Sequence, residues 1–212
     1  MDPSHIALID ISCPAAAFEK YECPSPIKFG FRVDDFAKVI KRAGSTDSVE
    51  LGIQDDMLNI KTSGEYTRNY KLRLIESSVS NTPLPKLTLD SKLVMTPSIL
   101  DRILSDIEVV ADKITIETTE NKQVICSAKG DSGQAIVTID DKTGVENLHE
   151  ISIAKPSKAT YSSEIMSRMV KAVGASSEKV TAEFTSKMPL KLSFDLPNAV
   201  KIQFFMAPRV ED

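Results

Sequence analysis

The stretches Phe36-Ala37-Lys38-Val39-Ile40-Lys41-Arg42-Ala43-Gly44 and Met166-Ser167-Arg168-Met169-Val170-Lys171-Ala172-Val173-Gly174 are one design written twice, 130 residues apart (36 to 166, 44 to 174). In each, apolar residues fall at i, i+3, i+4 and i+7, the spacing of one α-helical face, and a glycine follows where a C-cap would close the helix. Leu100, Ile103, Leu104 and Ile107 repeat the pattern 64 residues after the first copy (36 to 100). Thr96-Pro97-Ser98 introduces that copy as a helix start with proline in the first turn. The spacing predicts three short helices, each with one buried face.

Alternating segments follow every helix. Val49, Leu51 and Ile53, then Leu58 and Ile60, then Tyr70, Leu72 and Leu74 follow the first; Ile114 and Ile116, Val124 and Cys126, and Ala135, Val137 and Ile139 follow the second. Val180 to Phe184, Leu190 to Leu196 and Val200 to Met206 follow the third. Period-two alternation between short polar turns predicts antiparallel sheet with one buried face. The chain is therefore a set of β-α-β-β-β units, an α+β class. One such unit cannot bury its apolar face alone, so units must pair into domains. Residues 91–212 hold two units and make a complete domain; residues 1–75 hold one unit and an extra strand and make an incomplete one. Prolines and serines without periodicity mark 76–90 as an extended linker. The first span is short by roughly forty residues relative to the second if the two match.

Composition bounds the function. With 212 residues, 42% of them hydrophobic and 26% charged, the chain can build a sizeable core. A net charge of −4 argues against coating nucleic acid with the whole surface but leaves room for a local basic face. No apolar run has membrane-spanning length and no signal-peptide pattern follows Met1, which predicts an intracellular protein without a membrane partner. Cys13, Cys23 and Cys126 form no CxxC pair and read as reduced thiols.

Chemistry-bearing motifs are sparse. Gly130-Asp131-Ser132-Gly133 resembles the string around a serine-protease nucleophile, but only His5 and His149 could serve as base and neither has a matching context. Between two strands the same residues turn a hairpin, which is the favoured reading. Asp55-Asp56 and Asp140-Asp141 also sit between alternating segments and read as turns. No phosphate loop, dinucleotide fingerprint or zinc-protease motif is present. The expectation is a protein with no catalytic residues, no metal and no cofactor.

Several local stretches then point one way. Met1-Asp2-Pro3-Ser4-His5-Ile6-Ala7-Leu8, Lys38-Val39-Ile40-Lys41-Arg42-Ala43-Gly44, Met188-Pro189-Leu190 and Ala207-Pro208-Arg209-Val210-Glu211-Asp212 are similar, in order, to segments of the PCNA sliding clamps, most closely the archaeal members. In that family the first of these segments is internal, so the resemblance implies an absent strand-helix-strand-strand front. It implies a DNA clamp fold with antiparallel sheets outside and helices on the inner face. The function implied is a processivity factor that encircles duplex DNA and tethers DNA polymerase, flap endonuclease, DNA ligase and the clamp loader. The location implied is cytoplasmic if archaeal and nuclear if eukaryotic.

The resemblance also assigns residues. A pocket for PIP-box peptides would be walled by Met1, Ile6, Leu8, Leu84, Pro189, Phe205 and Met206. Ala207 and Pro208, with Ser162 at the rim, would form a notch for the peptide's glutamine, and His5 would offer a polar contact. Phosphate contacts, sequence-independent, would come from Lys38, Lys41, Arg42, Arg102, Arg168 and Lys171. Lys38, Arg102 and Arg168 share one repeat position. Edge strands carrying Arg68, Tyr70, Leu72 and Leu74, and Ala135, Val137 and Ile139, would join subunits, like or unlike, into a trimeric ring. A monomeric adaptor that uses the same groove without a ring is the alternative.

Overall fold

The computed structural model describes residues 4–76, 84–85, 87–140 and 148–209. In chain order its elements are β1 (Ala7–Ser12), α1 (Val33–Ile40), β2 (Ser48–Gln54), β3 (Met57–Ser63), β4 (Thr67–Arg73), β5 (Ser91–Met95), α2 (Pro97–Glu108), β6 (Lys113–Thr118), β7 (Val124–Gly130), β8 (Gly133–Ile139), β9 (Leu148–Ile153), β10 (Lys158–Ser162), α3 (Ser163–Val173), β11 (Val180–Phe184), β12 (Leu190–Asp195) and β13 (Lys201–Met206). The three predicted helices and the strands after them are all present.

Local chemistry sets the helix limits. Thr96 precedes α2 in an extended conformation and Pro97 takes its first position, where a missing N–H costs no hydrogen bond. Ser162 caps α3, its Oγ accepting from the Ile165 N–H, with Glu164 in the first turn and Lys171 in the last to complement the dipole. Leu100, Ile103, Leu104 and Ile107 of α2, and Met166, Met169, Val170 and Val173 of α3, are buried as their spacing predicts.

The glycines after the helices behave otherwise than expected. Gly174 caps α3 in a right-handed conformation (φ −57°), not a left-handed one. A Cβ there would lie 2.9 Å from Pro97 Cβ, so its small size serves the packing of α3 on the start of α2. Helix α1 already ends at Ile40, with Lys41 as its cap, before Ala43 and Gly44. The Gly44 N–H instead donates to Asp47 Oδ2 at 3.0 Å.

Chain contacts separate residues 1–21 with 85–212 from residues 22–84. This differs from a division at 75, because β1 pairs with β13 along its whole length, Ala7 opposite Met206 through Ser12 opposite Lys201. In the larger unit the two repeats exchange their first strands. Strand β5 precedes α2 yet pairs with β11 of the following repeat, and β10 precedes α3 yet pairs with β6 of the preceding one. The results are a six-stranded sheet, β1-β13-β12-β11-β5-β9, and a four-stranded sheet, β10-β6-β7-β8. Helices α2 and α3 pack together, and one core runs through both repeats, with Tyr161, Phe184, Phe194, Leu104 and Ile107 among its fully buried members.

The smaller unit is a three-stranded sheet, β2-β3-β4, with one helix. Phe36, Val39 and Ile40 pack over Leu58, Ile60, Tyr70 and Leu72 of β3 and β4. Val49, Leu51 and Ile53 of β2 share that sheet face, being register partners of Thr62, Ile60 and Leu58, yet are 44%, 49% and 37% exposed. A helix is about 10 Å across and strands lie about 4.8 Å apart, so one helix covers about two strands.

One of the two acidic pairs forms the turn expected of it. Asp55 and Asp56 (φ 50° and 56°) form the two-residue loop that joins β2 to β3, a left-handed turn that aspartate tolerates. Asp140 follows β8 directly, and Asp141 lies outside the described residues.

Leu104→Ala should cost about 2–5 kcal/mol in urea unfolding, because it empties core volume. Leu51→Ser, on the exposed strand, should change stability by no more than about 0.5 kcal/mol. Burial pushes the Cys126 thiol up to about 12, whereas Cys13 and Cys23 are exposed. Native alkylation at pH 8 followed by mass spectrometry should therefore label Cys13 and Cys23 and spare Cys126 until the protein is denatured.

Candidate functional site

Two of the expected groove residues, Leu8 and Phe205, meet where β1 pairs with β13. Leu8 and Phe205 are direct partners in that ladder, and Lys191 of β12 is the next residue across. Side chains alternate along a strand, so these three share the face opposite Phe204 and Met206. Phe204 and Met206 belong to the core cluster; Leu8 and Phe205 do not, although they are 7% and 6% exposed. The row continues from Lys191 to Glu183, joined by an ion pair at 3.0 Å, and then to Lys92. An outward sheet face is ordinarily polar throughout. Along this row the residues from Lys191 to Lys92 are charged, and the Leu8–Phe205 end is apolar.

Hydrogen bonds fix the tail after β13. The Ala207 N–H donates to the Ile6 carbonyl at 2.8 Å and the Arg209 N–H to the Thr160 carbonyl at 2.7 Å, so the tail is held on one side by the approach to β1 and on the other by β10. Arg209 Nη2 also donates to Asp112 Oδ2 at 2.9 Å. That hydrogen bond, with the charge of Arg209, holds the Asp112 carboxyl below its ordinary range. The pair therefore helps to hold the tail above that range and is lost as the pH falls through it. The Tyr161 hydroxyl donates to the Met188 carbonyl at 2.9 Å, which fixes the turn leading into Pro189.

The other expected groove residues are more dispersed. His5 is exposed in a left-handed conformation (φ 56°) just ahead of β1, Ile6 is exposed, and Pro189 is half-buried. Leu84 is exposed at the end of the smaller unit. Met1 and linker residues 77–83 and 86 lie outside the described residues. Met206 packs in the core, because it alternates with Phe205, so it does not share the outward face. Ser162 is buried as the α3 cap; Thr160, two residues earlier on β10, lines a cavity of about 380 Å³ together with Pro208.

The expected basic positions are all exposed. Lys38 lies on α1 and pairs with Asp35 at 3.2 Å, while Lys41 and Arg42 follow the helix rather than ride on it. Arg102 lies on α2; Arg168 and Lys171 lie on α3, where Arg168 pairs with Glu164. Asp106, Glu108 and Glu164 are exposed on these same helices.

Known proteins share both the sequence pattern and the fold. The sequence matches the description "Proliferating cell nuclear antigen, N-terminal domain" over residues 1–80 and "Proliferating cell nuclear antigen, C-terminal domain" over residues 83–209. It is 49% identical over 212 residues to the DNA polymerase sliding clamp of Nitrosopumilus maritimus, covering 100% of this chain and 84% of that one. The chain belongs to the PCNA family of DNA sliding clamps. It is 31% identical over 215 residues to the DNA polymerase sliding clamp of Pyrococcus furiosus, again covering 100% of this chain and 84% of the relative. Among solved structures, PCNA from Thermococcus kodakaraensis superposes with a TM-score of 0.88 at 23% identity, covering 99% of this chain and 84% of that one. The PCNA2-PCNA3 complex from Sulfolobus tokodaii superposes at 0.85 and 28% identity, covering 100% and 85%.

In this PCNA-family chain the serine motif is a turn. Gly130 and Gly133 face each other at the ends of β7 and β8, and Asp131-Ser132 connects them. Among the described residues no group of three His, Cys, Asp or Glu side chains is placed to hold a metal, and no helix is long and apolar enough to cross a membrane.

The two expected edges are β4 and β8, each last in its sheet. Tyr70, Leu72 and Leu74 pack against the small core, as Ala135 and Val137 do against the large one, and Ile139 is buried. Arg68 is half-buried, bonded to Asp47 at 3.1 Å and stacked over the Tyr66 ring. These side chains face inward, so an edge-to-edge contact would run through the backbone.

Sequence reasoning passed over Lys158, Ser186, Lys187 and Arg209 as site residues, although all four line the cavity beside Pro208. Arg209 carried the available signal, since it immediately follows the Ala207-Pro208 stretch already assigned to the groove.

Proposed function

We propose that this chain works as a DNA sliding clamp: a non-catalytic tether that closes with other clamp subunits into a ring around duplex DNA. It would hold DNA polymerase, flap endonuclease, DNA ligase and the clamp loader through PIP-box peptides. The observation that carries the peptide-binding part is the outward Leu8–Phe205 pair, apolar at one end of an otherwise charged row and flanked by a hydrogen-bonded tail. A shallow apolar floor beside exposed backbone is what a short peptide with a few anchoring side chains needs. Pro189 is proposed as a wall, with Ala207 and Pro208 forming the notch for the peptide's glutamine.

Ring closure is proposed through β4 of one subunit and β8 of the next, whose outer backbone groups have no strand partner among the described residues. Three two-domain subunits, joined within each by the 76–90 linker, would make six domains. The solved PCNA2-PCNA3 complex supports contacts between related chains as a route to assembly. Exposed cations on α1, α2, α3 and the turn after α1 would meet phosphates without reading bases, which a protein that slides requires.

A second reading, a monomeric adaptor using the same groove, is favoured by the exposed apolar face of β2, which leaves the smaller unit with a thin core. Light scattering over a range of concentrations separates the two. A mass near three subunits supports the ring, and a constant single-chain mass supports the adaptor.

Phe205→Ala should weaken a fluorescent PIP-box peptide tenfold or more, as for a central anchor, with the circular dichroism spectrum retained. Undiminished affinity would refute the groove assignment. On nicked circular DNA with a clamp loader, the ring form should be retained and then lost once the DNA is linearised. Equal retention on linear DNA with free ends would rule out encirclement.

A further inference from the structure

The cavity beside the tail has a chemistry of its own. Three segments distant in sequence build it: Lys158 and Thr160 from β10, Ser186 and Lys187 from the β11–β12 turn, and Pro208 with Arg209 from the tail. Its volume of about 380 Å³ is at the small end for ligand pockets, suited to a side chain more than to a cofactor. Three of the lining residues are cations and none is a carboxylate.

The frame is built and held. The Lys158 N–H donates to Ser186 Oγ at 3.0 Å, which ties β10 to the turn and leaves the Ser186 hydroxyl proton to donate. The Arg209 N–H donates to the Thr160 carbonyl, tying β10 to the tail. Glu117 pairs with Lys158 at 3.4 Å and Asp112 with Arg209 at 2.9 Å, both from outside the lining. Lys187, held in a left-handed conformation (φ 59°), has no carboxylate partner among the described residues. The lining therefore keeps an excess of positive charge and several N–H and O–H donors, a set that favours an anion.

Resting on the groove reading above, we propose that this cavity receives an acidic side chain of the docking peptide, a glutamate or aspartate within about two residues of the one that packs on Pro208. Pro208 is common to the proposed notch and the cavity, so a peptide seated in the first places its neighbouring side chain at the mouth of the second. Such a pocket selects among partners: a peptide with an acid at that position gains a charge-assisted hydrogen bond, and one with a lysine there meets repulsion.

Fluorescence anisotropy tests this with labelled PIP-box peptides identical except for Glu, Gln or Lys at each of the two positions on either side of the glutamine. At one position Glu should bind about three- to tenfold tighter than Gln, an advantage that shrinks with added salt. Lys187→Asn, which tolerates the left-handed backbone, should reduce that advantage, and Lys187→Asp should shift the preference toward Lys. If all peptides bind equally at every position, the pocket assignment is overturned and the groove stands. If none binds, both fall. If millimolar inorganic phosphate abolishes the Glu advantage while sparing the Gln peptide, the cavity is a free-anion site and the peptide assignment is overturned.

Discussion

The exchange of first strands between the two repeats is the constraint on which the larger unit depends. Strand β5 completes the sheet of the repeat that follows it, and β10 completes the sheet of the repeat that precedes it. Neither repeat can close its sheet without the other, so the apolar faces of α2 and α3 are buried together or not at all. The exchange also places the end of β10 beside the tail after β13, where Thr160 receives the Arg209 N–H. The proposed groove and the cavity are thus by-products of core assembly, held by bonds the fold already needs.

The smaller unit shows what the absence of such an exchange leaves. Its helix has the same apolar spacing as α2 and α3, but the strand entry before it is reduced to a single bridge, Gly30 with Ile75. Among the described residues the first strand after the helix, β2, has no neighbour on its outer edge, whereas its counterpart β6 is paired with β10. Val49, Leu51 and Ile53 therefore alternate like core residues without a helix above them. Their observed exposure follows from a helix too narrow to span three strands.

How much could be read in advance depends on the range of the forces involved. Two-turn faces such as Leu100 to Ile107 are local and legible, and so are turns such as Gly130 to Gly133. The end of α1 was not, because Ala43 and Gly44 continue the helical spacing while Asp47 draws the Gly44 N–H into a turn. Alternation tells which residues share a face but not which strand lies beside which, so the exchange of β5 and β10 had no local signature. The same alternation does separate Phe205 from Met206, and it places the latter in the core rather than in the groove wall. The cavity draws on three short segments, 158–160, 186–187 and 208–209, and no single window of sequence contains it.

The charged faces need a different physical argument from the core. Lys38 is paired with Asp35, and Arg168 with Glu164, each within one helix and each largely exposed. Exposed pairs of this kind are worth only about 0.3–0.5 kcal/mol. In the clamp proposed above, a phosphate approaching Arg168 would displace Glu164 at little cost, and the pair would reform as readily once the phosphate moved away. Free cations in the same places would hold phosphates longer and draw nucleic acid nonspecifically to a chain whose net charge is −4. Cations tied loosely to neighbouring acids give contacts that form and break cheaply, and rapid exchange is what motion along a uniform line of phosphates demands.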